Sequence, residues 1–283
     1  MIIQANNLEH SYGSLKVLDG VSFAIKQAGI TGLCAPNGEG KTTLLKLISG
    51  LQFPSSGTIE SLGQTPQDRP LDLLQRLYFL SSEPYFPKWS PRRIAKYYGP
   101  FYPNFNHALF EETLKEFRVD ANKPLNRVSF GQKRRAQLAF ALATRTQVLL
   151  LDEPTTGLDI QGKDQFRRSL IAGTEVGQTI IIATHLLSEI EPVLDHVLLL
   201  NGGRIDAHLA IDVAQRFYSF NLSTKPLPYG DNGYARRVPG GWLTVHTDGR
   251  PGTAAFDLET LYLALTDGGL PRPVDALKKS DHE

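Results

Sequence analysis

The sequence predicts an α/β fold: a core of strands and helices built on a phosphate loop, with an antiparallel β flap, a helical subdomain and a small C-terminal α+β extension. Three observations lead there. Ile30 to Leu33, then Cys34-Ala35-Pro36-Asn37-Gly38-Glu39-Gly40-Lys41-Thr42-Thr43, then Leu44 to Ile48 read as a strand, a glycine-rich turn and a helix. That order gathers backbone N–H groups and a helix N-terminus at one point, which makes an anion site. Leu77 to Leu80, Val148 to Leu151 and Thr179 to Thr184 are short apolar runs bounded by turn residues, and they read as buried strands. The texture then changes twice, at the aromatic- and proline-rich residues 85–128 and again beyond Phe217.

Taken in order, Leu8, Tyr12, Val17-Leu18 and Val21 to Ile25 read as short strands broken by Gly13 and Gly20, forming the flap. Tyr12 offers either ordinary packing or a ring on which a base can stack. The helix after the phosphate loop should end at Gly50, and Thr58 to Glu60 is a strand. Between 85 and 128, Ser90 before Pro91 and Asn106 before His107 are helix-start signals, with Leu109, Phe110, Leu114 and Phe117 on one face. The aromatic crowd there is either core or, in part, a docking surface for an apolar partner helix. Lys133 to Leu142 is a helix pattern with Ser129 at or near its N-cap. Its N-terminus is a second anion site or a plain capped helix end. Val197 to Leu200 and Gly202-Gly203-Arg204-Ile205 make a hairpin, Tyr234 to Val238 and Gly241 to Thr247 make another, and Asp257 caps a helix bearing Leu258, Leu261, Tyr262 and Leu265. Pro271 to Glu283 is polar and expected to fray.

Composition narrows the function. The 283 residues carry 30 Lys+Arg against 29 Asp+Glu, a net charge of +1, so no global electrostatic case for nucleic acid exists. A single cysteine, Cys34, excludes an internal disulfide framework and fits a reducing compartment. The N-terminus lacks the charge and apolar pattern of a signal peptide. Apolar runs fall far short of the about 20 residues a bilayer-crossing helix needs, so a membrane role is expected to come through a partner.

The motifs themselves point to nucleotide chemistry. The loop is G-x-x-x-x-G-K-[ST] with Ala35 at the first glycine; Gly38 and Gly40, where backbone approaches phosphate, are kept. Lys41 brings a mobile charge for the outer phosphates, and the Thr42 hydroxyl can ligate Mg²⁺. Asp152 and Glu153 end a buried strand, where consecutive side chains diverge, so one can serve a metal and the other a water. His185 follows a later strand at the carboxyl edge, where α/β sheets place ligands.

A phosphate loop, an Asp-Glu strand end and a following histidine, with Ser129-Phe130-Gly131-Gln132 shortly before Asp152, resemble the ATP-binding subunit of an ABC transporter, a P-loop NTPase. The resemblance covers residues 1 to about 210, and the C-terminal piece is similar to short extensions of exporter-type subunits. It implies an ATP-binding domain at 1–216, with a helical subdomain at about 83–145, and a small extension with a polar tail at 217–283.

By the same resemblance Tyr12 stacks on adenine, and Asn37, Gly38, Glu39, Gly40, Lys41, Thr42 and Thr43 form the Walker A loop. Lys41 holds the β- and γ-phosphates, while Thr42 and Asp152 serve Mg²⁺. Glu153 is the general base and His185 contacts the γ-phosphate. Ser129, Gly131 and Gln132 match the signature that completes the ATP site of a second nucleotide-binding protomer, and Asp159 lies in the segment that addresses the opposite site. The implied activity is ATP hydrolysis driving a separate transmembrane permease, from a cytoplasmic position peripheral to the membrane. Two departures stand out: Phe130 replaces the first signature glycine, and Ser81-Ser82-Glu83 stands where a glutamine normally reaches Mg²⁺. A soluble ABC-type ATPase of a non-transport complex, or a regulatory ATP-binding module with weak turnover, would use the same motifs.

Overall fold

A computed structural model describes residues 1–225, 233–247, 252–266 and 270. The chain opens with two long antiparallel strands, β1 (Ile3–Tyr12) and β2 (Leu15–Ile25). Gly20, an expected break, lies inside β2. Leu8 pairs with Val21 and His10 with Leu18, so two residues of β2 oppose one of β1 in a bulge that lets the ladder continue. Next come β3 (Gly29–Cys34), α1 (Lys41–Ile48) and β4 (Ser56–Ser61). β4 pairs antiparallel with β1, completing a three-stranded flap in the order β2-β1-β4.

A short helix that the sequence pattern does not signal, α2 (Leu71–Arg76), leads directly into β5 (Leu77–Leu80). Then follow α3 (Pro91–Tyr98), α4 (His107–Glu116), α5 (Phe130–Ala143), β6 (Val148–Asp152), α6 (Ile160–Gly173), β7 (Thr179–Thr184), α7 (Leu187–Ile190), β8 (His196–Asn201) and β9 (Arg204–Ala210). The main sheet has the order β5-β6-β7-β3-β8-β9, parallel except for the β8-β9 hairpin. Strand residues alternate between two cores. Leu149, Leu151, Ile180 and Ile182 join the core containing α5 and α6, while Val148, Leu150, Ile181 and Ala183 join that of α1 and the flap. Burial on both faces explains the unbroken apolar runs.

The helix starts are set by caps. Ser90 Oγ accepts the Arg93 N–H, Asn106 Oδ1 accepts that of Leu109 at 2.9 Å, and Ser129 Oγ accepts that of Gln132 at 3.2 Å. The aromatic crowd is part core and part surface. Phe86, Tyr102, Phe105 and Phe110 pack their rings around Phe140, which is 3% exposed, whereas Tyr85, Tyr97, Tyr98 and Phe101 remain on the surface.

Beyond β9 lie α8 (Ile211–Phe217), β10 (Ser219–Ser223), β11 (Gly233–Val238), β12 (Gly241–His246) and α9 (Leu258–Thr266). The expected hairpin is β11-β12, but β10 adds a third strand on its other side, giving the order β10-β12-β11. Asp257 Oδ1 caps α9 through the Thr260 N–H, and the helix buries Leu258, Leu261, Tyr262 and Leu265. The polar segment from Pro271 to Glu283 lies outside the described residues. Among the described residues no helix is long and apolar enough to cross a membrane.

Candidate functional site

Parallel strands in register bring the site together. Cys34 pairs with Thr184, Asp152 with Ala183 and Leu80 with Leu151, so the loops after β3, β5, β6 and β7 leave one edge at one level. Gly40, the N-cap of α1, has φ 97°. A Cβ there would meet Leu18 Cδ2 at 2.8 Å and the Val17 carbonyl oxygen at 3.2 Å, so no other residue fits the turn. With no side-chain cap on α1, the N–H groups of its first turn face outward for an anion.

Lys41 is buried at 6% exposure, and its ammonium donates to the carbonyls of Ala35 (2.8 Å) and Pro36 (3.0 Å). Burial pushes its pKa down, while Glu153 and Asp152 oppose that shift. Asn37 and Gly38 are exposed, Glu39 is half-buried and Thr43 is buried. The half-exposed Tyr12 hydroxyl donates to Gln52 Oε1 at 2.8 Å and lies 3.4 Å from Thr43 Oγ1, which ties the flap to the loop.

The two acids take separate environments. Asp152 is fully buried; its Oδ2 accepts from Thr42 Oγ1 at 2.8 Å and from the Ser82 N–H at 3.4 Å, and its Oδ1 has no partner among the described residues. An orphaned buried carboxylate oxygen beside a hydroxyl fits a hard divalent cation. Among the described residues no group of three His, Cys, Asp or Glu side chains forms a cage, so such a cation would take most of its ligands from phosphate and water. The link from the 81–83 loop to Asp152 is the Ser82 backbone, while Glu83 is exposed.

Glu153 turns away from Asp152 because its φ is 46°, a left-handed conformation uncommon outside glycine. Its own N–H donates to the Ala183 carbonyl at 2.8 Å. The turned carboxylate places Oε1 2.8 Å from His185 Nδ1 and 3.8 Å from Lys41 Nζ, and Oε2 accepts from Thr184 Oγ1 at 3.2 Å. The structure therefore gathers Lys41, Thr42, Asp152, Glu153 and His185 into one polar cluster.

Ser129, Gly131 and Gln132 are not joined to this cluster by any hydrogen bond among the described residues. Ser129 and Phe130 are exposed at the start of α5, and the Phe130 ring lies over Gly157. Asp159 caps α6 through the Gly162 N–H (2.7 Å) and pairs with Arg135 (2.6 Å). The Gly162 bond first, and Arg135 after it, hold its carboxyl below the usual range.

Sequence reasoning missed Arg134. It is 1% exposed and donates to the carbonyls of Asp152 (2.9 Å), Glu153 (2.8 Å), Pro154 (3.2 Å) and Ser81 (3.0 Å). Periodicity does not single it out, since α5 is buried continuously from Ala136 to Ala143 and Lys133 and Arg135 have equally buried residues at i+4 and i+7.

A family profile described as ABC transporter matches residues 18–156. The chain is 34% identical over 211 residues to Nod factor export ATP-binding protein I of Burkholderia lata, covering 71% of this chain and 68% of that protein. This chain is an ABC transporter ATP-binding protein. It is also 32% identical to the bacitracin transport ATP-binding protein BcrA of Bacillus licheniformis, over 78% of this chain and 75% of that one. Among solved structures, this ABC protein resembles cbiO1 from Clostridium perfringens, part of the transporter complex cbiONQ, with a TM-score of 0.61, 28% identity and coverage of 73% and 87%. An ATP-binding subunit of an ABC transporter shares the fold at TM-score 0.68 and 24% identity, covering 77% and 93%.

Proposed function

We propose that this ABC subunit hydrolyses ATP, and that two nucleotide-binding protomers, closing and reopening with ATP, drive a separate membrane permease. The observation that carries the proposal is the Glu153 carboxylate, held between His185 and Lys41 while Asp152 meets Thr42. Residues 1–216 would form the ATP-binding domain and 217–283 an appended piece.

In this reading Tyr12 stacks on adenine, and the N–H groups from Asn37 to Thr43 receive the phosphates. Lys41 neutralises charge on the β- and γ-phosphates. Thr42 and Asp152 would hold Mg²⁺, which when bound supplies charge neutralisation across the phosphate oxygens. Glu153 accepts a proton from water as the water oxygen bonds to the γ-phosphorus and the bond to ADP breaks. His185 orients Glu153 and reaches the γ-phosphate. Ser129, Gly131 and Gln132 cap the ATP of the other protomer, a reading supported by the exposure of Ser129 at the start of α5. The permease docks near residues 83–105, where Tyr85, Tyr97 and Phe101 are exposed, which would hold the protein at the cytoplasmic face of the membrane. The relative named for Nod factor export favours export.

Phosphate release by the wild type and Glu153→Gln tests the base. The variant should bind ATP, dimerise with it and turn over roughly 10²-fold or more slowly; turnover near wild type would remove the assignment. ATP binding without turnover in the wild type, with permease present, would favour the regulatory module instead.

A further inference from the structure

Among the described residues, Arg134 is a charge buried without a carboxylate partner. Each of its hydrogen-bond acceptors is a backbone carbonyl, and these carbonyls belong to two segments distant in sequence. Nη1 donates to Ser81 at 3.0 Å and, at greater length, to Ser82 at 3.5 Å. Nη2 donates to Asp152 and Glu153, and Nε to Pro154. Burying a guanidinium is unfavourable unless its donors are satisfied, and burial pushes its pKa down to about 10, which leaves it charged at neutral pH. An apolar residue of similar volume would fill the same space more simply. It would also leave the carbonyls of 152–154 without these donors at the sheet edge.

In the proposed function one segment lies on the permease side and the other holds the catalytic acids. One is the loop after β5, beside exposed Glu83 and Tyr85 and a cavity of about 440 Å³ lined by Ser82, Tyr85, Phe130 and Arg134. The other carries both acids. A second tie runs parallel to the first, from the Ser82 N–H to Asp152 Oδ2 at 3.4 Å. The loop thus lacks a glutamine but is fastened to the acids by backbone. The guanidinium fork spans both segments; a lysine ammonium, with one centre of charge, cannot.

We propose that Arg134 is a positioning residue for hydrolysis: it ties the 81–82 loop to residues 152–154, so that displacement of the loop moves the carboxylates of Asp152 and Glu153. This rests on Glu153 being the base and on the loop being the docking side. A shift of about 1 Å in a reacting group costs up to roughly 10²-fold in rate. Nucleotide affinity, which depends on the Lys41 loop, should change little.

The full chain and its Arg134→Lys and Arg134→Gln variants test the tie. Folded variants should keep KM for ATP within about threefold while kcat falls roughly 10- to 100-fold, a split expected for lost transition-state positioning. Amide exchange on the nucleotide-free proteins should show the 81–83 and 153–156 segments opening together in the wild type and both faster in the variants. A folded variant with kcat within about twofold of wild type would overturn the proposal. So would wild-type segments that open at unrelated rates, a readout that stands even if neither variant folds. Absence of wild-type turnover would instead sink the assignment of Glu153, and the exchange result would still judge the tie.

Discussion

Replacing Gly157 by alanine puts two costs on one position and separates them cleanly. Gly157 has φ +80°, and a left-handed conformation costs an L-residue roughly 1–2 kcal/mol. An added Cβ would also overlap the Phe130 ring, with Cδ1 at 2.5 Å. The ring can compress the site, at about 1–3 kcal/mol, or swing into solvent. Phe130 is 63% exposed, so a little over a third of it is covered. Full burial of such a side chain is worth about 1.5–3 kcal/mol, so swinging out costs about 1 kcal/mol and is the cheaper course. Gly157→Ala should therefore destabilise by about 2–3 kcal/mol, but by only about 1–2 kcal/mol in a Phe130→Ala background. Urea unfolding of the four chains measures the difference. A coupling below about 0.5 kcal/mol, the usual limit of additivity, would mean that the ring does not rest on Gly157, and that the start of α5 is not braced against the 156–159 turn.

Glu191 supplies a pH test. Its carboxylate accepts the Leu258 N–H at 3.0 Å; burial raises its pKa, the Leu258 bond pulls it down and Asp257 adds to the rise. A carboxyl whose folded pKa is raised destabilises the fold on ionising, so stability should fall as pH rises from the ordinary value of 4.5 through the raised one. Glu191→Gln keeps an acceptor and should match the wild type below pH 4.5 but exceed it at neutral pH; urea midpoints in which the variant is the weaker at neutral pH would refute this. Asn106→Ala, which removes the cap on α4, should cost about 1 kcal/mol, seen as a fall of about 2–4 °C in Tm.

Much of the architecture is carried by local pattern. The phosphate loop needs Gly40 because only a residue without Cβ passes Leu18 and Val17, so its chemistry is written in residue type. Caps at Ser90, Asn106, Ser129 and Asp257 are equally local, and strands buried on both faces show as continuous apolar runs. What local pattern obscured was pairing. Gly20 looked like a break until β1 opposed it across a bulge, and β10, of mixed burial, acquires its strand character from β12.

The sequence by itself determined which groups the site contains: a lysine and a threonine on the glycine loop, two acids ending a strand, and a histidine after the next. Each sits at the carboxyl end of a strand or at a helix start, where backbone geometry dictates residue type. Only the tertiary structure decided how they meet. The in-register ends of β3, β6 and β7 bring Lys41, Glu153 and His185 together, and the left-handed turn at Glu153 points the two acids apart. Arg134 found its acceptors in segments some 18 and 53 residues away. Contacts of that range leave no periodicity in the chain, because their partners are carbonyls that every residue carries.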